Sequence, residues 1–286
     1  MSFKKPGFAI LLLSVFTVFA DDVSILPPEP LIDVSPTNQG SALVQQYMAK
    51  DFFDVDADRV EMPLSAELLL AECVSRMPLE PLEMSGTMTM RKMYGTELKK
   101  FNFTVFLNWG AVQPMARYEI LTTDNELIET IHAVRHKDGS LLLSRFLGTE
   151  MTPMESPVLS SRIMGTDLTW LDIALDYIWW KNPKIVGSDK IKGRNCDILE
   201  VEPPSPITGC SKARLWVDRG QRVVIQASQI NGKGKEVRKM WVRSIKKIDN
   251  RWVTKDIEVE TPGSGHRTRL SINNVTIVEI ENEKND

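Results

Sequence analysis

Alternation of apolar and polar residues runs through most of the chain from Leu82 onward and limits the fold more than any other feature. The first run has one apolar side, made of Leu82, Met84, Gly86, Met88 and Met90. The second has an apolar side made of Phe101, Phe103, Val105, Leu107 and Trp109. Because successive side chains of a strand point to opposite faces, each run predicts a β-strand that is buried on one face only.

Nine further segments also predict strands. They are 116–121, 126–135, 141–146, 196–201, 213–218, 222–229, 236–248, 252–260 and 267–277. Short connections with turn pairs such as Asp124-Asn125 and Asn231-Gly232 predict antiparallel hairpins in sequential order. The expected class is therefore mainly β (α+β), with about ten or eleven strands in an antiparallel meander that must curl into a barrel or fold over on itself.

One segment, GTDLTWLDIALDYIWW at 165–180, interrupts this pattern. Thr169 and Asp172 have the spacing of a helix capping box. The residues that would form an apolar stripe on a helix are Trp170, Ile173, Ala174, Tyr177 and Ile178. Asp172 and Asp176 would lie on the opposite side of that helix. We expect an amphipathic helix whose apolar face lies on the sheet, either as a permanent core element or, as we favour, as a removable cover over a ligand.

The N-terminal residues predict export. Lys4 and Lys5 precede the apolar stretch 8–19, and Val18-Phe19-Ala20 resembles a cleavage site, as in a secretory signal peptide at 1–20. This stretch is shorter than the roughly 20 residues that span a bilayer. We expect a Pro-rich arm at 21–40, a single domain at 41–280 with helices at 41–51 and 65–76, and a polar tail at 281–286.

Charge and motifs exclude several functions. The formal net charge of −3 becomes −5 once Lys4 and Lys5 leave with the signal, which gives no general attraction to nucleic acid. The chain has no nucleotide-binding glycine motif and no GxSxG. His132 and His136 would lie about 13 Å apart on a strand, too far for one metal ion. We therefore predict no metal, no cofactor and no enzyme activity, although a hydrolase with scattered carboxylates stays open as an alternative.

The three cysteines leave an alternative open. Cys73 falls in the predicted helix 65–76 and suits a buried apolar position. Cys196 and Cys210 flank a Pro-rich turn and would lie on two paired strands. In an exported protein they form either a disulfide or two unpaired core thiols.

Five segments carry a resemblance to a known family. They are LLLAECVSRMPLEPLEMSG at 68–86, MGTDLTWLD at 164–172, residues 193–199, LWVD at 215–218 and VRKM at 237–240. Over roughly residues 64–275, their order resembles the LolA/LolB-like outer-membrane lipoprotein-sorting proteins. The resemblance implies a half-open, curved antiparallel β-barrel with helices covering the open face. It also implies a monomeric periplasmic carrier of lipoprotein acyl chains or other lipids, with an inner-membrane exporter and an outer-membrane acceptor as partners.

The resemblance assigns roles to the apolar residues. The lipid-binding wall would be Met84, Met88, Met90, Phe101, Phe103, Val105 and Leu107, and the cover would be Trp170, Ile173, Tyr177 and Ile178. Adaptable methionines suit a flexible ligand, but they equally suit an ordinary core. Arg76 and Arg91 are candidates for the arginine that latches the lid in that family. An envelope sensor or adaptor of the same fold, serving an exporter or a stress pathway, is the alternative function.

Overall fold

In the part of the chain that the structure describes, the alternating segments and two further strands form one antiparallel sheet of thirteen strands. The computed structural model describes residues 65–137, 139–248 and 251–279. The first strands are β1 (Leu82–Lys92), β2 (Glu97–Asn108), β3 (Met115–Leu121), β4 (Leu127–Arg135), β5 (Leu141–Leu147) and β6 (Thr152–Met154). The others are β7 (Lys181–Ile191), β8 (Arg194–Glu202), β9 (Lys212–Asp218), β10 (Val224–Ile230), β11 (Glu236–Ile248), β12 (Arg251–Glu260) and β13 (His266–Ile277).

The sheet consists of two meanders joined by the pairing of β1 with β13. Its order is β6-β5-β4-β3-β2-β1-β13-β12-β11-β10-β9-β8-β7. In this register Met88 lies opposite Leu270, and Gly86 lies opposite Ile272. The first strand is therefore central, and the two edges are formed by strands from the middle of the chain. The curved sheet remains unclosed, as expected, but it is not one simple meander.

The strand count exceeds the prediction because the sequence pattern missed both edge strands. β6 has only three residues, and all of them are exposed. β7 is exposed at nine of its eleven positions, so its sequence shows no apolar side. An edge strand that buries neither face lacks the alternation on which the prediction depends.

Helix α1 (Ala66–Ser75) confirms the helix predicted at 65–76. The Ser65 side chain caps it by accepting a hydrogen bond from the Leu68 amide at 3.2 Å. α1 packs against β7, and its Glu72 forms an ion pair with Arg222 at 3.1 Å. In the described residues, no helix has the length and apolar character needed to cross a membrane. The signal, the arm, the helix at 41–51 and residues 281–286 lie outside the described residues.

The connection between β6 and β7 crosses from one edge of the sheet to the other over its concave face. Within it, residues 163–180 form what we call the cover segment. It contains a 3₁₀ turn (Ile163–Gly165), helix α2 (Trp170–Ile173) and a second 3₁₀ turn (Asp176–Trp179). The predicted capping box of Thr169 and Asp172 is present. The prediction of one continuous helix is wrong, because Leu175 adopts a left-handed backbone (φ 46°, ψ 38°) that ends helical geometry.

The three cysteines are free and buried. The strands on either side of the Pro-rich turn pair as predicted, but they do not place Cys196 and Cys210 opposite each other. Cys196 lies opposite Asp218, whereas Cys210 precedes β9 at the other end of the hairpin. A disulfide within this hairpin is therefore excluded, since the Cα atoms of bridged cysteines lie within about 7 Å.

Alkylation should confirm this arrangement. Burial raises the pKa of the Cys196 and Cys210 thiols to about 11, so both stay protonated and unreactive near neutral pH. We expect iodoacetamide to label the native protein poorly and all three cysteines after denaturation in guanidinium chloride without a reductant. Labelling of Cys73 alone under denaturing conditions would show that the other two are bridged.

Candidate functional site

The cover segment closes the concave face of the sheet, and the two surfaces that meet there are apolar. From the sheet, β1, β2, β3 and β13 contribute Met84, Met88, Phe103, Val105, Tyr118, Ile120, Leu270 and Ile272. From the cover segment come Ile163, Leu168 and Ile173. All these side chains are buried. The site is thus a contact between an apolar wall and an apolar cover.

The space left between wall and cover is small. The cavity has a volume of about 20 Å³, and most of the side chains that line it are apolar. This volume corresponds to roughly one water molecule. In this closed arrangement the space is too small for an acyl chain, which fits only if the cover segment moves.

The structure brings together five of the eleven predicted lipid-binding residues. Met84, Met88, Phe103, Val105 and Ile173 line the cavity. The other six lie elsewhere in the same interior or at its margin: Met90, Phe101, Leu107, Trp170, Tyr177 and Ile178. Of these, Phe101 is only partly buried, and Trp170 packs edge-on against Tyr118 with ring centroids 5.9 Å apart.

The residues that β3 and β13 contribute to the cavity wall were not predicted from the sequence. Tyr118 and Ile120 alternate correctly for an inward face, but nothing local ranks them above other inward residues. Leu270 and Ile272 reach the cavity because β13 pairs with β1. That pairing joins residues nearly two hundred positions apart, so no short-range pattern reports it.

Asp172 is the centre of a buried hydrogen-bond network that holds the cover segment. One carboxylate oxygen accepts from the Thr169 amide and hydroxyl at 2.9 and 2.7 Å. The other accepts from the Tyr177 hydroxyl at 2.7 Å and from the Gln229 side-chain amide of β10 at 3.0 Å. Arg238 of β11 lies 3.6 Å from the same carboxylate. Asp172 therefore joins the cover segment to two strands.

Asp176 joins the cover segment to the opposite half of the sheet. It accepts from the Arg135 guanidinium of β4 at 2.8 Å and from the Trp180 indole at 2.8 Å. The Arg135 and Asp176 side chains are only 3% and 7% exposed. The guanidinium also lies 4.6 Å from the centre of the Trp179 ring. Burial lowers the pKa of Arg135, and the neighbouring Asp176 carboxylate opposes that shift.

Asp167 makes the third attachment, to β13. Its amide donates to the Thr268 hydroxyl at 2.9 Å, and that hydroxyl donates back to the Asp167 carboxylate at 3.1 Å. His266 Nδ1 lies 2.9 Å from the same carboxylate oxygen. Asp167 is fully buried. The cover segment is thus attached by three aspartates to three separate regions of the sheet.

These attachments correct two expectations. Asp172 and Asp176 do not occupy a face of the cover that points away from the sheet, because both bind strand residues. The arginines that pair with Asp176 and Asp172 of the cover are Arg135 and Arg238, which were not among the sequence candidates. Arg91 pairs with Glu97 at 3.6 Å in the β1–β2 hairpin, and Arg76 ends α1.

The described residues offer little support for a metal site or a reactive thiol. In that part of the chain, no group of three or more His, Cys, Asp or Glu side chains could hold a metal ion. Burial raises the pKa of the Cys73 thiol to about 12, which leaves it protonated at neutral pH. The three buried aspartates are occupied by the attachments described above.

Comparison with known proteins places this geometry in a fold family. A family model described as an uncharacterized protein matches residues 150–284. The comparison with curated proteins finds no significant match. Among solved structures, a DUF1329-family protein from Desulfovibrio piger is 18% identical with a TM-score of 0.63, over 74% of this chain and 91% of that one.

Two further structures show the same likeness. A LolA superfamily protein from Nitrosomonas europaea is 15% identical (TM-score 0.60), over 77% of this chain and 96% of that one. A domain described as an outer membrane lipoprotein-sorting protein, from Vibrio parahaemolyticus, is 14% identical (TM-score 0.65), over 76% and 94%. At these identities the likeness establishes the fold. It confirms the curved, unclosed LolA-like sheet that the sequence resemblance implied.

The Arg135–Asp176 pair should contribute strongly to stability. Asp176→Ala leaves a buried guanidinium without its carboxylate, and we expect the free energy of unfolding to fall by about 3–5 kcal/mol in urea denaturation. The double variant Arg135→Met/Asp176→Leu should lose less, because neither charge remains buried. Arg91→Met is the matched control, since its exposed pair with Glu97 should contribute less than about 1 kcal/mol. Equal losses in the single and double variants would show that the pair acts only by packing.

Proposed function

We propose that this protein, which has the LolA-like fold, is a non-enzymatic carrier that binds lipoprotein acyl chains or other lipids between its sheet and its cover segment. The observation that carries the proposal is the contrast between the two kinds of contact at the cover. Its apolar residues face an apolar wall, whereas its position is fixed by the buried aspartates Asp167, Asp172 and Asp176.

The combination of apolar contacts with a few polar attachments suits a cover that opens. When the cover lifts, the aspartates and their partners exchange protein hydrogen bonds for bonds to water, at a net cost of roughly 1.5–3 kcal/mol for each bond to a carboxylate. The apolar wall would instead be left exposed, which is unfavourable until an apolar ligand replaces the cover. An acyl chain gains about 0.8 kcal/mol per buried CH₂. Burial of an acyl chain with many CH₂ groups therefore offsets much of the free energy that the polar attachments lose.

The wall also has the composition that such a ligand requires. Most of the side chains that line the closed cavity are apolar, which suits the burial of an acyl chain. Met84 and Met88 lie on the same face of β1, four residues apart, and can change rotamer to follow a flexible chain. The proposed periplasmic location and the expected partners follow from the same function and from the predicted signal at 1–20.

Uptake of a fluorescent fatty acid tests the wall. Met88→Glu and Phe103→Glu place a charge where the acyl chain would lie, and we expect affinity at least about tenfold weaker for each. Thr87→Glu is the matched control, because Thr87 precedes Met88 on β1 and points to the other face of the sheet. Circular dichroism shows whether each variant is folded. Unchanged uptake by the folded Met88 and Phe103 variants would contradict the assignment of this wall.

Weakening an attachment of the cover should make uptake faster, whereas the wall variants should make binding weaker. Asp176→Asn removes the charge that pairs with Arg135, so the cover should lift more often. We expect stopped-flow fluorescence to show faster uptake than in the wild type. A permanent core element predicts instead that the Asp176→Asn variant takes up the probe no faster than the wild type.

Native mass spectrometry of the protein purified from its own envelope separates this function from the alternatives. Copurifying acyl species support a carrier. A stable protein partner on an empty chain would favour the sensor or adaptor function, and turnover of a lipid ester would favour a hydrolase.

A further inference from the structure

The end of the β1–β2 hairpin is the longest continuously exposed stretch of the sheet. Every residue from Arg91 to Lys100 is exposed, in contrast to the buried positions that precede it on β1. Three of the exposed side chains are large and apolar: Met93, Tyr94 and Leu98. Tyr94, at the turn, is fully exposed. β2 pairs with β3 only from Asn102 onward, so this end of the hairpin extends beyond β3.

The same hairpin end is basic. Arg91, Lys92, Lys99 and Lys100 surround the apolar residues, and Glu97 is the one acidic residue from 91 to 100. The whole chain has a formal net charge of −3. The positive charge here is therefore a local concentration that opposes the charge of the rest of the protein.

A second basic cluster continues this surface onto the outer face of the sheet. Arg243, Arg267 and Arg269 converge on the buried carboxylate of Glu258, at 3.3, 3.3 and 2.7 Å. The three guanidinium groups share one negative partner, and their side chains remain 30–48% exposed. Arg267 lies directly opposite Arg91 in the β1–β13 register. Like charges placed opposite each other on a sheet are unfavourable, which is consistent with a surface that meets a negatively charged partner.

The hairpin end also contacts the cover segment. Lys99 Nζ donates to the Met164 and Gly165 carbonyls at 2.9 and 3.4 Å. These carbonyls precede Asp167, the attachment to β13. A partner that binds the hairpin end would thus lie beside the point where the cover segment begins.

We propose that the β1–β2 hairpin end docks on the surface of a bilayer that contains anionic phospholipids. Tyr94, Met93 and Leu98 enter the interfacial region, and the surrounding lysines and arginines bind lipid phosphates. The combination favours a bilayer, because an aromatic and apolar tip within a basic ring matches the apolar and anionic layers of a membrane surface. Under the proposed carrier function, which this inference deepens, docking brings the start of the cover segment to the membrane.

Vesicle flotation of the full mature chain, without any added acyl ligand, tests the docking. We expect binding to phosphatidylcholine vesicles with about 30% phosphatidylglycerol, little binding to pure phosphatidylcholine, and loss of binding in high salt. Met93→Ser/Tyr94→Ser and Lys92→Glu/Lys100→Glu should each reduce the bound fraction at least about fivefold. All four positions are exposed, so the melting temperature should not change.

Two control variants repeat these changes elsewhere on the surface. Leu79→Ser/Val112→Ser removes exposed apolar residues at the other end of β1 and β2, and Lys184→Glu/Lys190→Glu makes the same charge change on β7. Both should bind vesicles like the wild type. Absence of binding to anionic vesicles, or equal losses in hairpin and control variants, would overturn the proposal. Either result leaves acyl-chain uptake by the wall unaffected, so the two proposals fail separately.

Discussion

Burial of three carboxylates in one short connection is the constraint on which the site depends. A buried charge is costly unless it is paired or hydrogen-bonded, so the cover segment has few placements in which Asp167, Asp172 and Asp176 all find polar partners. The partners come from β13, from β10 and β11, and from β4, on both sides of the open barrel. Apolar packing, which has no preferred direction, could not fix the cover segment in this way. The carboxylates therefore determine where the cover lies.

The sheet topology makes a cover necessary. Because β1 pairs with β13, the free edges are β6 and β7, and the chain between them has to cross the concave face. It crosses an apolar wall that would otherwise be exposed to water. The path carries both strained and regular backbone: Leu175 is left-handed, and Thr169 and Asp172 form a capping box just before it. Strain of this kind persists where surrounding contacts determine the conformation, and it is common in elements that move.

The two faces of the sheet have different chemistry. The concave face has its methionines, aromatic residues and aliphatic residues under the cover segment. The outer face at β11, β12 and β13 carries Arg243, Arg267 and Arg269 around Glu258. The β1–β2 hairpin connects the two, because its basic and apolar end is exposed while Lys99 contacts the cover segment. One hairpin thus links the surface that could meet a membrane with the element that closes the interior.

Local patterns in the sequence were sufficient to predict the strands that bury one face, the helix α1 that Ser65 caps and the capping box at Thr169. The order of the family-like segments was sufficient to predict the open barrel. The tertiary structure alone decided the β1–β13 pairing, the exposed edge strand β7, and the partners Arg135 and Arg238 of the cover aspartates. The physical reason is the distance along the chain over which each kind of interaction acts. Alternation and capping depend on neighbours within a few residues, whereas a buried charge finds its partner on whichever strand the fold brings beside it.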